Sequence, residues 1–356
     1  MPGARQRPAR REPPHARLGR RAGALTAFAT ATLAVAVVVA VSLHAHLPFG
    51  LSANSARPPR TASLTGPTGR RKPPAPTRTV TVTTLGSLSA PASRIAAVPY
   101  GTGGALFLGG YDATGAPTDA IENFQTATVT AAGTLPVPDA SAGAAVLGSN
   151  IYLFGGTSST IYELNGQSFT VAGSLPSATA DAAIATVGDS AYVIGGYSGS
   201  VELNTIVAYT PGLGTRTAAT LPVTLRYPAA VSLDGQIYII GGSTAGVPSA
   251  TVYRYDPTTN AVAPFATLPV ARARESAAVL DGVIYAIGGA NAAGQRSRAI
   301  YAINPASGRV ALAGVLPQAL ADTVALTGDG EIIVAGGTDE ALAPVATIYA
   351  VTPIAP

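Results

Sequence analysis

The chain has no cysteine among its 356 residues. That excludes a disulfide framework and any thiol chemistry. It does not fix a compartment, although it suits an oxidising exterior. Histidine is nearly missing: His15, His44 and His46 are the only three. Tryptophan is absent. Acidic residues are missing from the front of the chain, where residues 1–78 hold 13 Lys and Arg against Glu12 alone. Residues 79–356 reverse the balance, with nine Arg and 17 acids, a net charge of −8. The overall basicity therefore belongs to the front segment. Residues 79–356 lack the basic face that a nucleic-acid partner requires, and no such partner is expected.

Charge is absent altogether from Ala22 to Leu43, a run of 22 residues. A transmembrane helix needs about 20 apolar residues, and in lipid the backbone must bond to itself, so helix is expected despite the β-branched Val35–Val41 stretch. Arg20 and Arg21 sit at its front edge, and the next Arg is Arg57. This asymmetry places residues 1–21, an Arg-rich tail, in the cytoplasm and the rest outside the cell membrane. A cleaved signal peptide is the rival reading, with Ala40 and Ser42 as a small-x-small site; the protein would then be secreted. The apolar run is longer than a signal core of 7–15 residues, which favours an uncleaved anchor. Residues 44–78 contain Pro58-Pro59 and Pro73-Pro74-Ala75-Pro76. They read as a disordered, extended linker able to reach on the order of 100 Å. His44 and His46 are too few to predict a metal site.

Beyond residue 78 a Gly-Gly pair that closes an apolar run recurs six times, beginning at Gly109, Gly155, Gly195, Gly241, Gly288 and Gly336, with spacings of 46, 40, 46, 47 and 48 residues. An apolar run precedes each pair, as in Ile237-Tyr238-Ile239-Ile240. Self-similarity at this period signals repeated small sheets. Within one period, Thr251–Tyr255 is a strand by its alternation, Asp256–Asn260 is turn chemistry, and Ala261–Thr267 is a strand expected to stop at Leu268-Pro269. Glu275–Leu280 is a further strand, and Asp281-Gly282 a tight hairpin. Four short strands per period make one antiparallel blade. The Leu-Pro stop returns at 135–136, 175–176, 221–222 and 316–317. One Gly of each pair is expected to serve positive φ and the other a close approach of the neighbouring blade.

These marks closely resemble the kelch-repeat β-propellers over about 79–356. The resemblance implies an all-β, six-bladed kelch-type β-propeller, preceded by one transmembrane helix and the linker. One departure is the missing Trp, which kelch repeats usually carry about seven residues after the Tyr of the third strand; Val262 and Val310 stand there instead. Val82–Leu88 matches Val129–Leu135 in pattern, so both read as outermost strands. The chain ends on a third strand, 348–351, without its fourth. Strand 79–85 is therefore expected to complete the last blade and close the ring.

Propellers bind at the face where blade-linking loops converge. Counting back 14 residues from each first Gly reaches Ile95, Ser141, Asp181, Tyr227, Arg274 and Asp322, with Arg94 and Arg226 one residue earlier. Kelch domains that bind acidic peptides place Arg near this register, and Arg94, Arg226, Arg272 and Arg274 resemble that arrangement. Just after the Gly pairs come Tyr111, Asp112, Tyr197, Asn291 and Asp339. The candidate ligand-binding set is Arg94, Asp112, Asp181, Tyr197, Arg226, Tyr227, Arg272, Arg274, Asn291 and Asp322. Arg pairs bidentately with carboxylates and Tyr adds a stacking face, so the set suits a sugar acid, a glycan or an acidic peptide.

The first functional expectation is a membrane-anchored binding or scaffolding module for a protein or carbohydrate ligand, with no cofactor and no metal. The alternative is a sugar-modifying enzyme resembling the sialic-acid epimerases, with Glu275 or Asp322 as acid/base. A copper oxidase of the galactose oxidase type is excluded, because all three His precede the propeller and Cys is absent. A sialidase reading lacks the Trp-bearing Asp loops.

Overall fold

The computed structural model describes residues 79–354 apart from residue 167. The expected cytoplasmic tail, transmembrane helix and linker lie outside the described residues. Among those described, no helix is long and apolar enough to cross a membrane.

All named elements are strands. β1 (Val80–Ala92) comes first but sits beside the last strand. β2 (Ala96–Tyr100), β3 (Gly104–Leu108), β4 (Thr118–Gln125) and β5 (Thr128–Asp139) form one antiparallel sheet in chain order. So do β6 (Ala142–Leu147), β7 (Asn150–Gly155), β8 (Thr160–Asn165) and β9 (Ser168–Ser174). A third sheet holds β10 (Ala183–Val187), β11 (Ser190–Ile194), β12 (Thr205–Thr210) and β13 (Gly214–Thr220). Next come β14 (Ala229–Leu233), β15 (Gln236–Ile240), the short β16 (Ser243–Thr244), β17 (Val247–Asp256) and β18 (Ala261–Leu280), then β19 (Val283–Ala290), β20 (Ser297–Ile303) and β21 (Val310–Leu320), all in one larger sheet. β22 (Val324–Gly328), β23 (Glu331–Ala335) and β24 (Val345–Pro353) pair in order, and β24 pairs with β1, Val82 opposite Val351.

Four four-stranded sheets thus stand separately, and the expectation of six separate ones is corrected in one region. The cause is β18. Its first part pairs with β17, as at Tyr255 opposite Val262, and its second part pairs with β19, as at Glu275 opposite Gly288. The expected stop at Leu268-Pro269 does not occur. Leu135-Pro136 and Leu316-Pro317 also lie inside strands, whereas Leu175 and Leu221 do follow strand ends. Pro136, Pro269 and Pro317 are tolerated because each falls in a register shift of its strand, where no ladder N–H is needed. The conserved element of the pattern is the leucine instead: Leu135, Leu175, Leu221, Leu268 and Leu316 are all buried.

The second strand of each repeat is apolar on both faces because both are covered. Ile237, Tyr238, Ile239 and Ile240 are all buried. Hydrophobic clusters form between neighbouring sheets: Tyr152 and Phe154 of one pack on Tyr209 of the next. The two halves of the fused sheet also enclose a cluster, with Tyr238, Val252 and Leu268 against Ile284 and Ile303. The missing Trp is replaced by modest packing, since Val262 joins one such cluster only as a partly buried neighbour. Fully burying each large apolar side chain contributes roughly 1.5–3 kcal/mol.

Both glycines of every pair have positive φ. Gly195 shows why neither can change. A Cβ on Gly195 would run into the carbonyl of Leu225, and the N–H of Gly196 donates to that same carbonyl at 2.7 Å. Positive φ and close approach therefore act together on one residue rather than being divided between the two.

Candidate functional site

Six strands, β2, β6, β10, β14, β18 and β22, line an axial cavity of about 340 Å³, walled largely by Ala and Val. At the end away from the hairpin turns, Arg94, Ser141, Asp181, Tyr227, Arg274 and Asp322 adopt left-handed φ between 51° and 69°. Their backbones form a closed ring of hydrogen bonds. The N–H of Arg94 donates to Asp322 (3.0 Å), Ser141 to Arg94 (3.3 Å), Asp181 to Ser141 (3.0 Å), Tyr227 to Asp181 (2.9 Å), Arg274 to Tyr227 (3.1 Å) and Asp322 to Arg274 (2.9 Å). Non-glycine residues in this conformation cost roughly 1–3 kcal/mol each and persist only where surroundings impose it. The ring is what imposes it here, and it turns six side chains toward one mouth.

The ring also corrects the sequence register. Arg94, not Ile95, is the counterpart of the other five. The first hairpin leaves three residues between Tyr100 and Gly104, whereas the hairpin at Leu233–Gln236 leaves two, so the count back from Gly109 is one longer.

Over the ring lies a charged cluster built on Tyr227. The guanidinium carbons of Arg274, Arg226 and Arg94 stand 3.7, 4.6 and 4.9 Å from its ring centre. Arg226 also covers Tyr197 at 4.2 Å. Two carboxylates hold the three cations in place. Asp181 Oδ2 accepts from Arg226 Nε (2.7 Å) and Nη2 (2.6 Å), and Asp181 Oδ1 from Arg94 Nη1 (3.4 Å). Asp322 Oδ1 accepts from Arg94 Nε (3.1 Å) and Arg274 Nη1 (2.7 Å). Both carboxylates are buried, while the three Arg side chains are about a quarter exposed, so the cations present the outer surface. Burial works against the charge of Arg94, but Asp322, the Tyr227 phenol and Asp181 outweigh it and its pKa rises. Burial, followed by Asp181, pushes the Tyr227 phenol up, and the three guanidiniums partly offset this.

Seven of the ten expected site residues therefore meet: Arg94, Asp181, Tyr197, Arg226, Tyr227, Arg274 and Asp322. Arg272 does not join them. It is buried, donating from Nη1 to the Gly288 carbonyl (3.1 Å) and lying 4.8 Å from the Tyr301 ring centre. Asp112 and Asn291 build their own loops. Asp112 Oδ1 accepts from the Thr114 and Ala116 N–H groups, and Asn291 Oδ1 from those of Ala293 and Gln295.

Directly behind the ring is a small cavity of about 120 Å³, lined by ring residues together with Glu275 and Thr323. Glu275 is buried, and neither of its carboxyl oxygens has a hydrogen bond of good geometry. Its carboxyl abuts Gly241 of the preceding repeat, where Ile95 in the first repeat contacts Gly336. Burial pushes its pKa up to about 8; its own N–H, Arg272 and the Gly242 N–H pull weakly the other way. The Ser141 hydroxyl is likewise buried without a partner. Burial also raises Asp139, to about 6. Among the described residues no group of His, Cys, Asp and Glu could hold a metal ion.

Sequence reasoning missed Arg296. It bridges Ala290 just before its strand, the place that Pro117 and Pro344 take opposite Tyr111 and Thr338 in two other repeats, and the counts made back from the Gly pairs and directly after them stopped short of it.

Residues 178–219 and 224–269 match the family model of the Kelch motif. No curated protein matches the chain. A solved structure titled "Structure of YjhT" is similar at 17% identity and a TM-score of 0.66, over 76% of this chain and 99% of that one. At that identity the likeness speaks for the fold alone.

Proposed function

We propose that this kelch-repeat β-propeller is a membrane-anchored, extracytoplasmic binding module, six-bladed when the fused sheet is counted as two, whose ligand is an acidic peptide or an acidic glycan. The observation that carries the reading is the Tyr227 cluster. Three guanidiniums face outward over two buried carboxylates, a local surplus of cations on a domain whose net charge is −8. Arg forks and an aromatic face recognise carboxylates and sugar rings. The placement of β1 agrees with this. It runs toward the mouth and ends at Ala92, so its start, with Val80 opposite Pro353, lies at the far end. A tether through residues 44–78 would hold the domain by the face away from the site.

The test is an acidic-peptide and glycan array probed with the detergent-solubilised full chain, alongside Arg226→Ala and Arg274→Ala. Selective signals lost in both variants are expected. Equal signals from wild type and variants would remove the assignment.

One observation favours the enzymatic alternative: Glu275, a buried carboxyl titrating near neutrality behind the mouth, as general acid/base residues do. Asp322, the other acid considered, is engaged by Arg94, Arg274 and the Thr338 hydroxyl. If the alternative holds, NMR of N-acetylneuraminate with the protein will show interconversion that Glu275→Gln abolishes; an unchanged spectrum rejects it.

A further inference from the structure

One cation at this face has fewer partners than its burial demands. Arg296 lies on the loop before β20. Its Nη1 donates to the Gly294 carbonyl (2.8 Å) and its Nη2 to the Thr338 hydroxyl (3.2 Å), while its Nε is buried without an acceptor. Among the described residues no carboxylate forms a salt bridge with it. Burial lowers its pKa, and although Asp322 and Asp339 counter this, Arg274 and Arg94 add to the lowering. The site thus holds a guanidinium in surroundings that disfavour its charge.

Arg296 opens onto a groove of about 530 Å³, to one side of the axis, that Arg94, Arg274, Tyr111, Thr114 and Thr338 also line. Its size lies within the usual range for small-molecule sites. Inside it three guanidiniums face the single buried carboxylate Asp322. Asp112, at the rim, is occupied by its own loop, so the local balance stays positive even when its charge is counted. Arg274 commits only Nη1 to Asp322, and Arg94 commits Nε and Nη1, leaving further N–H donors on each. The uncommitted N–H groups of the three guanidiniums face the groove, against the free Asp112 Oδ2 at its rim, and the balance of its lining is cationic. The complement is an acceptor bearing negative charge.

We propose that this off-axis groove seats the anionic group of the ligand, an oxyanion such as a carboxylate or phosphate, clamped by Arg94, Arg274 and Arg296, with Arg296 selecting for charge. The inference rests on the reading of this face as the binding face and narrows it to one place. A bound oxyanion would give Arg296 the counter-charge it lacks.

The experiment is titration calorimetry on the detergent-solubilised full chain at low salt. The probes are glucuronate and inorganic phosphate, which separate a sugar acid from a phosphate source, with glucose as the neutral control. Wild type is expected to bind one of the two anions and not glucose. Arg296→Gln should weaken that binding by about tenfold or more without lowering the melting temperature, because it removes a poorly compensated cation. Arg296→Lys should fall between the two. Arg309→Gln, an exposed cation on a distant turn, should match wild type. Anion binding that survives Arg296→Gln but is lost in Arg226→Ala would overturn the groove and leave the binding face standing. Failure of wild type to bind either anion would overturn both.

Discussion

The guanidinium carbon of Arg274 stands 3.7 Å from the centre of the Tyr227 ring. Arg94 and Arg226 approach the same ring. One aromatic side chain therefore organises cations from three different repeats. Tyr227 itself is held by the hydrogen-bonded backbone ring, which fixes it in a left-handed conformation. The site is a property of that closure more than of any one loop.

Tyr227→Leu should lower stability by about 1–2 kcal/mol at low salt, since contacts of this type contribute roughly 0.5–1 kcal/mol each at part-exposed sites. Tyr227→Phe keeps the aromatic face and should remain close to wild type. Urea denaturation of the three proteins checks this. If Leu and Phe behave alike, the ring face is not what orders the guanidiniums.

Glu275 sets a pH dependence whose sign is opposite to that of a salt-bridged carboxylate. Its folded pKa, about 8, lies above the ordinary carboxyl value of 4.5. The folded chain binds this proton more tightly than the unfolded chain. The contribution is complete below about pH 4.5 and declines by up to roughly 1.4 kcal/mol per pH unit as pH rises toward 8. Above 8 it is gone. Glu275→Gln should therefore flatten stability between pH 5 and pH 8 and raise the melting temperature most at the alkaline end. Parallel pH profiles for the two proteins would show that this carboxyl does not titrate in the fold.

Gly195 and Gly212 both have positive φ, at 61° and 78°. A Cβ on Gly195 would strike the Leu225 carbonyl, whereas a Cβ on Gly212 meets nothing within 4 Å. Gly212→Ala should cost about 1 kcal/mol, the conformational term alone. Gly195→Ala should cost well beyond that, because backbone must move to admit it. Equal losses in thermal melts would mean that only φ matters at the repeated pairs.

Much of the architecture was legible from the glycine period. The apolar runs before each pair became the buried second strands, and the pairs themselves took positive φ throughout. The Leu-Pro stops were legible only in part, because a proline seated in a register shift does not have to end its strand. The site was legible as a neighbourhood. Arg226, Tyr227, Arg274, Asp181 and Asp322 could be placed by counting, since strand length between ring and Gly pair is constant in those repeats. Arg94 slipped by one residue through a longer hairpin. Arg272, two residues before Arg274, was drawn into the same set but is buried against the Gly288 carbonyl and Tyr301. Arg296 shares its register with Pro117 and Pro344, which carry no charge, so nothing at that position drew the count.

By itself the sequence determined the repeat, the strand order within it and the residue types available at one face. Those follow from local chemistry: apolar alternation, turn residues, and glycines where no Cβ fits. Only the tertiary structure decided which of those side chains meet. The ring of hydrogen bonds joins one residue from each of six repeats, closing from Arg94 to Asp322, and the pairing of β1 with β24 joins the two ends of the domain. Such contacts depend on how repeats sit around an axis, and a one-residue change in a single hairpin is enough to shift them, so no local pattern could state them in advance.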